Sequence, residues 1–549
     1  MCTAVRCRAW LSSHSRVPSN PHAWSRQPRR TTTVGEATSP HRKTADVTHQ
    51  RPAAVIVLAA GEGTRMKSAT PKVLHAIGGR TLLGHVLATA RELDPIALSV
   101  VVRHQREAVA AHALSLDSGV VIADQDEIKG TGRAAWCALR DLDAVAAVSG
   151  AVVVLAGDVP LLDSGTLAQV LEAHAADGNA VTVLTTQVAD PSGYGRIVRE
   201  AGTGDVLRIV EHSEANADEL AITEINTSVY AFEASVLRSA LEQLQGSTDN
   251  AQGEVYLTDV LALARTSGPV RAIATDDPII VEGVNDRVQL AALGAELNAR
   301  VVEEAMRNGV TIVDPSSTWI DVTVELGRDV TILPGTQLLG TTSVADDAVV
   351  GPDTTLTNAV VGQGAEIVRS HVLDARIGDF ALVGPFSYLR PGTVLGTGAK
   401  VGGFVETKNA EIGAGAKVPH LSYVGDVTIG DGANIGAGVI VANYDGVTKS
   451  RTSIGRAAFV GSDSVLVAPV VIGDGAFVAA GSTITRDVRP GDLAVERGTQ
   501  KTVPGWVTRK RAGTRSATAA SGALASAHGA DAVDSSPTDS GTGVVPASE

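Results

Sequence analysis

The 549-residue chain is too long for a single hydrophobic core and calls for two or three domains. Its net charge is −14, and residues 1–50 hold eight Lys/Arg against two acids, which leaves the remainder near −20; an acidic body argues against a general nucleic-acid binder, although local cations can still hold anionic substrates. Aromatics make up only 3% against 57 glycines, so part of the interior must rest on close, repetitive backbone packing instead of large rings.

Residues 1–50 are Arg- and Ser-rich, like a transit peptide in composition, and lack the apolar region of a secretory signal. They are expected to form a disordered basic extension. Cys2, Cys7 and Cys137 give neither a disulfide framework nor metal-ligand spacing. No apolar run reaches the roughly 18 residues of a membrane helix, so a cytoplasmic protein with no membrane insertion and no nucleic-acid partner is expected.

From Arg51 onward, apolar strands alternate with helices: AAVIVLAAG, TLLGHVLATARELD, PIALSVVVR, GTGRAAWCALRDL and AVVVLAGD in turn. Continuous Val/Ile/Leu runs joined by helical crossovers predict a doubly wound, Rossmann-like α/β domain over 51–285. Residues 286–308 have helical apolar spacing without a breaker and predict one long connecting helix. From about 327 the sequence scans in sixes, clearest from Ile377 (IGDFAL, VGPFSY, LRPGTV, LGTGAK, VGGFVE), which predicts a parallel β-helix within 309–510. The aliphatic residue should point into the prism and the following Gly should permit the corner. Residues 441–453, VANYDGVTKSRTS, break the period and must project as a loop. The Ala/Ser/Gly/Thr-rich segment 511–549 is expected to be a disordered tail.

Three features carry chemistry. A strand that ends in LAAGEG before a helix would offer backbone N–H groups and a positive helix end to an anion, and Arg65 and Lys72 would make that anion a polyphosphate. It is neither a P-loop nor the dinucleotide fingerprint. Asp158, at the end of a strand, is placed where open α/β sheets bind ligands, and a carboxylate there suits Mg²⁺. His420 stands in the repeats where an aliphatic or small residue would do.

LAAGEGTRM followed by PKVLH resembles the signature of sugar-nucleotide pyrophosphorylases. GTG (130–132), GDVPLL, DPSGYGRI (190–197), IVEH (209–212), EINTSVYAF (224–232) and VEGVNDR (281–287) follow in family order. GPFSYLRPG, GGFVETKN, KVPHLSYVGD, NIGAG, NYDG and GSD in the second half resemble the acetyltransferase half of the bifunctional N-acetylglucosamine-1-phosphate uridyltransferase/glucosamine-1-phosphate N-acetyltransferase family. The resemblance covers roughly 52–510.

For the first half it implies that Leu58, Ala59, Ala60 and Gly61 hold UTP by backbone while Arg65 and Lys72 neutralise its phosphates. Gln125, Gly130 and Thr131 would read the uracil, Asp158 and Asn285 would hold Mg²⁺, and Gly195, Glu211 and Asn226 would grip N-acetylglucosamine. For the second half it implies Arg390, Lys408, Tyr423, Asn434 and Lys449 around glucosamine-1-phosphate, and Ala437, Asn443, Tyr444, Ser462, Ala480 and Arg497 around acetyl-CoA. His420 would be the general base, since imidazole titrates near neutral pH. The β-helix itself would be left-handed and the protein a homotrimer with shared sites.

Each of these residues also has a plainer reading. Asp158 alone would start a turn, Arg65 would be a surface cation, Asn285 a helix N-cap, Glu211 a surface carboxylate, and Arg390 and Lys408 exposed charges on a prism face; His371 reads as surface. An alternative for the whole chain is a monofunctional nucleotidyltransferase whose β-helix only trimerises it. Ala156, Ser213, Lys129, Arg133 and the Ser of NTS depart from the family pattern around the nucleotide site. With no tunnel evident, N-acetylglucosamine-1-phosphate is expected to pass through solvent between the two sites.

Overall fold

The computed structural model describes residues 51–244 and 254–531. The expected basic extension (1–50) and the last residues of the expected tail (532–549) lie outside the described residues.

The first half is built on a twisted sheet. Its elements in chain order are β1 (Ala54–Leu58), α1 (Leu82–Glu92), β2 (Ala97–Val102), α2 (Arg106–Leu116), β3 (Val121–Asp124), α3 (Thr131–Val145), β4 (Ala151–Ala156) and α4 (Ser164–Ala176). Then come β5 (Val181–Gln187), β6 (Arg196–Arg199), β7 (Val206–Val210), β8 (Glu224–Glu233), α5 (Ala234–Leu244), α6 (Asp259–Ala264) and β9 (Val270–Thr275). The strand order is β9-β5-β8-β4-β1-β2-β3, with the β6–β7 pair attached to β8. Val55, Ile56 and Val57 are all fully buried, because helices cover both faces of the sheet, as a continuous apolar strand requires. The parallel pattern is broken at β8, which runs antiparallel to both β4 and β5, and in the attached pair, where β6 runs antiparallel to β8 and to β7.

Helix α7 (Arg287–Arg307) follows, capped by Asp286, whose carboxylate accepts from Val288 N at 2.8 Å and Gln289 N at 2.9 Å. Its Asn298 is buried and satisfied twice, donating to Thr318 O (2.8 Å) and accepting from Ile320 N (3.0 Å). The hairpin at Gly78–Gly79 also reaches the second half, where Val322 N donates to Gly78 O at 3.0 Å.

From Thr311 to Ala494 the chain winds as a three-sided left-handed prism of parallel strands. Successive coils stack like on like. Ile332, Val350, Ile367, Val383, Val401 and Val418 are in register down one side; Leu338, Leu356, Val372 and Leu389 line the second; Val344, Val361, Ile377 and Leu395 line the third. All are buried in one continuous core. The prism starts at Thr311, earlier than the visible six-residue rhythm, because its opening coils are not built of clean sixes. The glycine after the aliphatic residue serves close stacking more than unusual dihedrals. Gly378 and Gly396 lack positive φ, yet a Cβ on either would lie 2.7 Å from the backbone of the next coil.

Helices α8 (Trp506–Lys510) and α9 (Arg515–Asp531) follow the prism. Residues 515–531, expected without structure, are therefore helical. Alanine, which dominates this stretch, loses no side-chain entropy in a helix, and that preference outweighs the scarcity of large apolar groups.

Candidate functional sites

A cavity of about 590 Å³ opens at the C-terminal ends of β1 to β4. Leu58, Ala59, Ala60, Gly61, Lys72, Gln125, Gly130, Thr131, Asp158, Glu211 and Asn226 all line it. Asn285 and Gly195 lie outside that lining but contact Lys72 and Asn226 of it, and Arg65 bonds Asn285.

The loop after β1 differs from the expected strand–turn–helix. It runs into a three-residue 3₁₀ turn (Thr64–Met66), and Pro71 separates that turn from a second; α1 begins only at Leu82. No long helix dipole therefore aims at the loop. The helix whose N-terminus reaches the cavity is α3, through Gly130 and Thr131. A Cβ on Gly61 would meet nothing within 4 Å, so the fold leaves open space there.

Beside the cavity two side-chain oxygens, of Asp158 and Asn285, accept from converging cations. Lys72 Nζ pairs with Asp158 and lies 3.4 Å from Asn285 Oδ1, which also accepts from Arg65 Nη2 at 2.8 Å. Val284 N donates to Asp158 O at 2.9 Å and ties the two segments together. Since Asp286 caps α7, the N-cap reading of Asn285 is excluded and its side chain is turned to this cluster.

Gln125 donates its amide N–H groups to Ile128 O (2.9 Å) and Gly130 O (3.1 Å), which shapes the loop that follows it. Gly130 has φ +113 and packs so closely on Val255 that no Cβ fits. The strap 254–258 crosses here: Gly132 N donates to Val255 O at 2.8 Å, and Leu257 N to Thr131 Oγ1 at 3.0 Å. Tyr256, Leu257 and Thr258 line the cavity although nothing in their sequence marked them, since contact across 126 residues leaves no local pattern.

Further along, Gly195 O accepts from Asn226 N at 2.9 Å, and a Cβ on Gly195 would sit 3.5 Å from Asn226 and 3.7 Å from the Glu211 carboxylate. Tyr230 donates to Asn226 Oδ1 at 2.9 Å. Glu211 is no surface carboxylate. Burial pushes its carboxyl up, against a Thr258 hydrogen bond, and Glu214 and Asp259 add to the rise. Burial and the carboxylates around it likewise push the Tyr256 hydroxyl up to about 12.

The departures now have places. Lys129 lines the cavity and pairs with Glu62 at 3.3 Å across its mouth, while Ala156 lines the floor. Arg133 is structural, paired with Asp126 and stacked 4.2 Å over Trp136. Ser228 sits at φ +60, where glycine would be unstrained. Nothing in the structure explains Ser213.

On the prism, hydrogen bonds climb one corner coil by coil: Leu421 N to Gly403 O, Gly438 N to His420 O, Asp463 N to Ala437 O and Gly481 N to Ser462 O. His420, Ala437, Ser462 and Ala480 are therefore stacked at a single edge, and Arg497 Nη1 donates to Ala480 O at 2.8 Å. His420 is exposed.

Beside that edge, Glu406 and Tyr423 are in register on one face. Arg390 holds Glu406 at 2.8 Å, and Asn443 lies 3.5 Å from the Tyr423 hydroxyl. The loop between Ile440–Ala442 and Thr452–Ile454 projects as expected, with Val447 89% exposed, and carries Tyr444 and Lys449. Asn434 is not with them. It pairs with Lys417 and Phe459 on the adjacent face, round the corner from Tyr423.

One residue here escaped the sequence reading. Asp426, 9% exposed, accepts from Asn409 (2.8 Å) and Asn443 (2.5 Å) and faces Lys408 at 3.9 Å. Burial opposes its charge, yet those two hydrogen bonds and the charges of Lys408 and Lys449 hold its carboxyl below the usual range. Its φ of +49 is a corner conformation that Asp tolerates, so in sequence it passes for a turn residue.

Comparison with known proteins separates scaffold from family. A MobA-like NTP transferase domain matches residues 55–255, and a bacterial transferase hexapeptide model of six repeats matches 451–486. Proteins called bifunctional protein GlmU match far more. That of Pseudarthrobacter chlorophenolicus is 56% identical over 474 residues, covering 86% of this chain and 96% of its own. Those of Mycolicibacterium gilvum (55% over 473; 85% and 94%) and Corynebacterium efficiens (56% over 475; 86% and 96%) are similar. The chain belongs to this family. As a GlmU protein it is a bifunctional enzyme with uridyltransferase and acetyltransferase activities, serving cell wall synthesis. Identity that runs through both halves sets aside a prism that serves only for trimerisation. Among the described residues no helix is long and apolar enough to cross a membrane.

Proposed function

We propose that each half works through the residues gathered at its site. In the first, the backbone of Leu58 to Gly61 cradles UTP, and Arg65 and Lys72 neutralise its phosphates. Gln125, Gly130 and Thr131 read the uracil, while Gly195, Glu211 and Asn226 position N-acetylglucosamine-1-phosphate. The donor set fits Mg²⁺: a carboxylate and a carboxamide oxygen, Asp158 and Asn285, meet at one ammonium. Bound there, Mg²⁺ would offset phosphate charge with few protein ligands. Phosphoryl transfer of this kind asks the protein for alignment and charge neutralisation, which this cluster can supply.

In the second half, His420 accepts the proton that the glucosamine-1-phosphate amine sheds as it attacks the acetyl thioester. The edge of Ala437, Ser462 and Ala480, closed by Arg497, would hold acetyl-CoA with Asn443 and Tyr444. Arg390, Lys408, Tyr423 and Lys449 would hold the sugar phosphate, with Asp426 keeping Lys408 and Asn443 in place. Asn434 faces another way, and a convex corner cannot bring it to the same sugar. A crevice between copies can, which supports a homotrimer with shared sites. The exposed corner ladder of Phe386, Phe404 and Leu421, with the two rings 5.2 Å apart, gives such a contact apolar surface to bury. UTP and acetyl-CoA as substrates fit a cytoplasmic enzyme.

The observation that carries the acetyltransferase assignment is the single edge joining His420 to the three small residues above it. Incubating the protein with glucosamine-1-phosphate and acetyl-CoA, without UTP, should release free CoA thiol, and His420→Ala should abolish it. Undiminished release from the variant would remove His420 as the base.

A further inference from the structure

Arg103 has no part in the assignments above. It stands one residue past β2, is half-buried, and lines the nucleotide cavity. The arginines around it are paired: Arg106 holds Asp124 at 2.8 Å and Arg133 holds Asp126. Arg103 alone of these has neither hydrogen bond nor ion pair among the described residues. A guanidinium brings five donors, and with none of them spent on a described residue they are free for a ligand in the cavity.

Register shows which part of a nucleotide it would meet. Val102 lies opposite Asp124 on β3, and Val101 opposite Leu58 on β1. Val101 and Ala123 bury on the same face of the sheet, and side chains alternate, so Arg103 and Gln125 leave neighbouring strand ends on one face. Arg103 thus sits between Gln125 and the Leu58–Gly61 loop.

Uracil presents two carbonyl acceptors and one N–H donor. Gln125 spends its amide N–H groups on Ile128 O and Gly130 O, so only its Oε1 is left, as an acceptor for the base N–H. Donors for the two carbonyl oxygens must then come from the Gly130 and Thr131 N–H groups and from a further side chain that faces the base. We infer that Arg103 is a second base-reading residue, donating to the 4-carbonyl of uracil and so selecting uridine over cytidine nucleotides. Cytosine replaces one carbonyl with an amino group, which would set donor against donor. The inference rests on Gln125 reading the base.

The test measures kcat/KM for UTP and CTP with N-acetylglucosamine-1-phosphate in the full chain, for wild type, Arg103→Met, Arg103→Lys and Gln125→Leu. Arg103→Met should lower the UTP value roughly tenfold or more, the usual effect of losing a hydrogen bond to a charged group, and leave CTP nearly unchanged. Arg103→Lys should fall between, and decides the matter should the methionine variant not fold. Acetyl transfer in the prism should be unaffected in every case. Equal losses with both nucleotides, which leave the UTP/CTP ratio unchanged, would overturn the inference and put the guanidinium on phosphate; no loss with either would also overturn it. If Gln125→Leu lowers the ratio when Arg103→Met does not, this inference alone fails. If neither lowers it, the base-reading assignment fails with it.

Discussion

Glu211 is a carboxylate held where burial disfavours its charge. Its carboxyl is raised by burial, so the folded state binds that proton more tightly than the unfolded chain does. Ionised at pH 7, it costs stability, and the cost is relieved as pH falls through its raised pKa. Glu211→Gln should therefore melt higher than wild type without ligand at pH 7, with the gap closing towards pH 4.5, while KM for N-acetylglucosamine-1-phosphate rises. Calorimetry across that pH range checks it; a variant less stable at pH 7 would mean the carboxylate holds the fold. At this scale the plain readings of Asn285 and Glu211 fell only once their surroundings were visible, because helix capping and burial depend on neighbours that one side chain does not reveal.

Among the elements, the prism makes the sharpest demand on its glycines. Gly396 has ordinary dihedrals but no room, with Ala414 N 2.7 Å from any added Cβ; Gly398 has φ +65 but open space. Alanine at 398 should cost about 1–2 kcal/mol, the usual penalty of left-handed backbone. Alanine at 396 must push two coils apart and should cost several-fold more, read as loss of the prism transition in thermal unfolding. Comparable losses would show that dihedral strain, not stacking, sets the repeat. The six-residue rhythm was legible because each aliphatic position faces the same interior; the opening coils from Thr311 and the antiparallel β8 were not, since neither has a periodic signature.

Across the whole molecule, placement of the sites makes the prediction. If Asn434 of one copy and Lys408 of the next complete one site, Asn434→Ala and Lys408→Ala should each lose acetyl transfer alone. Refolded together, they should regain part of it, because mixed trimers contain some interfaces wild type at both positions. No recovery would place both residues in one chain's site. The junction with the first half lies at the Ile320 layer, and the layer beside His420 is six coil steps away, about 29 Å along the prism at the ordinary strand spacing. N-acetylglucosamine-1-phosphate should therefore pass through solvent, and unlabelled intermediate added to a coupled assay should dilute the labelled product.

The sequence alone determined the two architectures, the connecting helix and the motifs from which candidate residues were drawn, because hydrophobic period and contiguous motifs are local and survive without coordinates. The tertiary structure alone decided which of those residues meet. It gathered Lys72, Asp158 and Asn285 from three distant segments, stacked Ala437, Ser462 and Ala480 above His420, and turned Asn434 away from Tyr423. It also brought Arg103, the 254–258 strap and Asp426 to sites that no motif had marked. The physical reason is the same in each case: proximity across many residues is set by sheet register and coil stacking, and neither is written in any short stretch of chain.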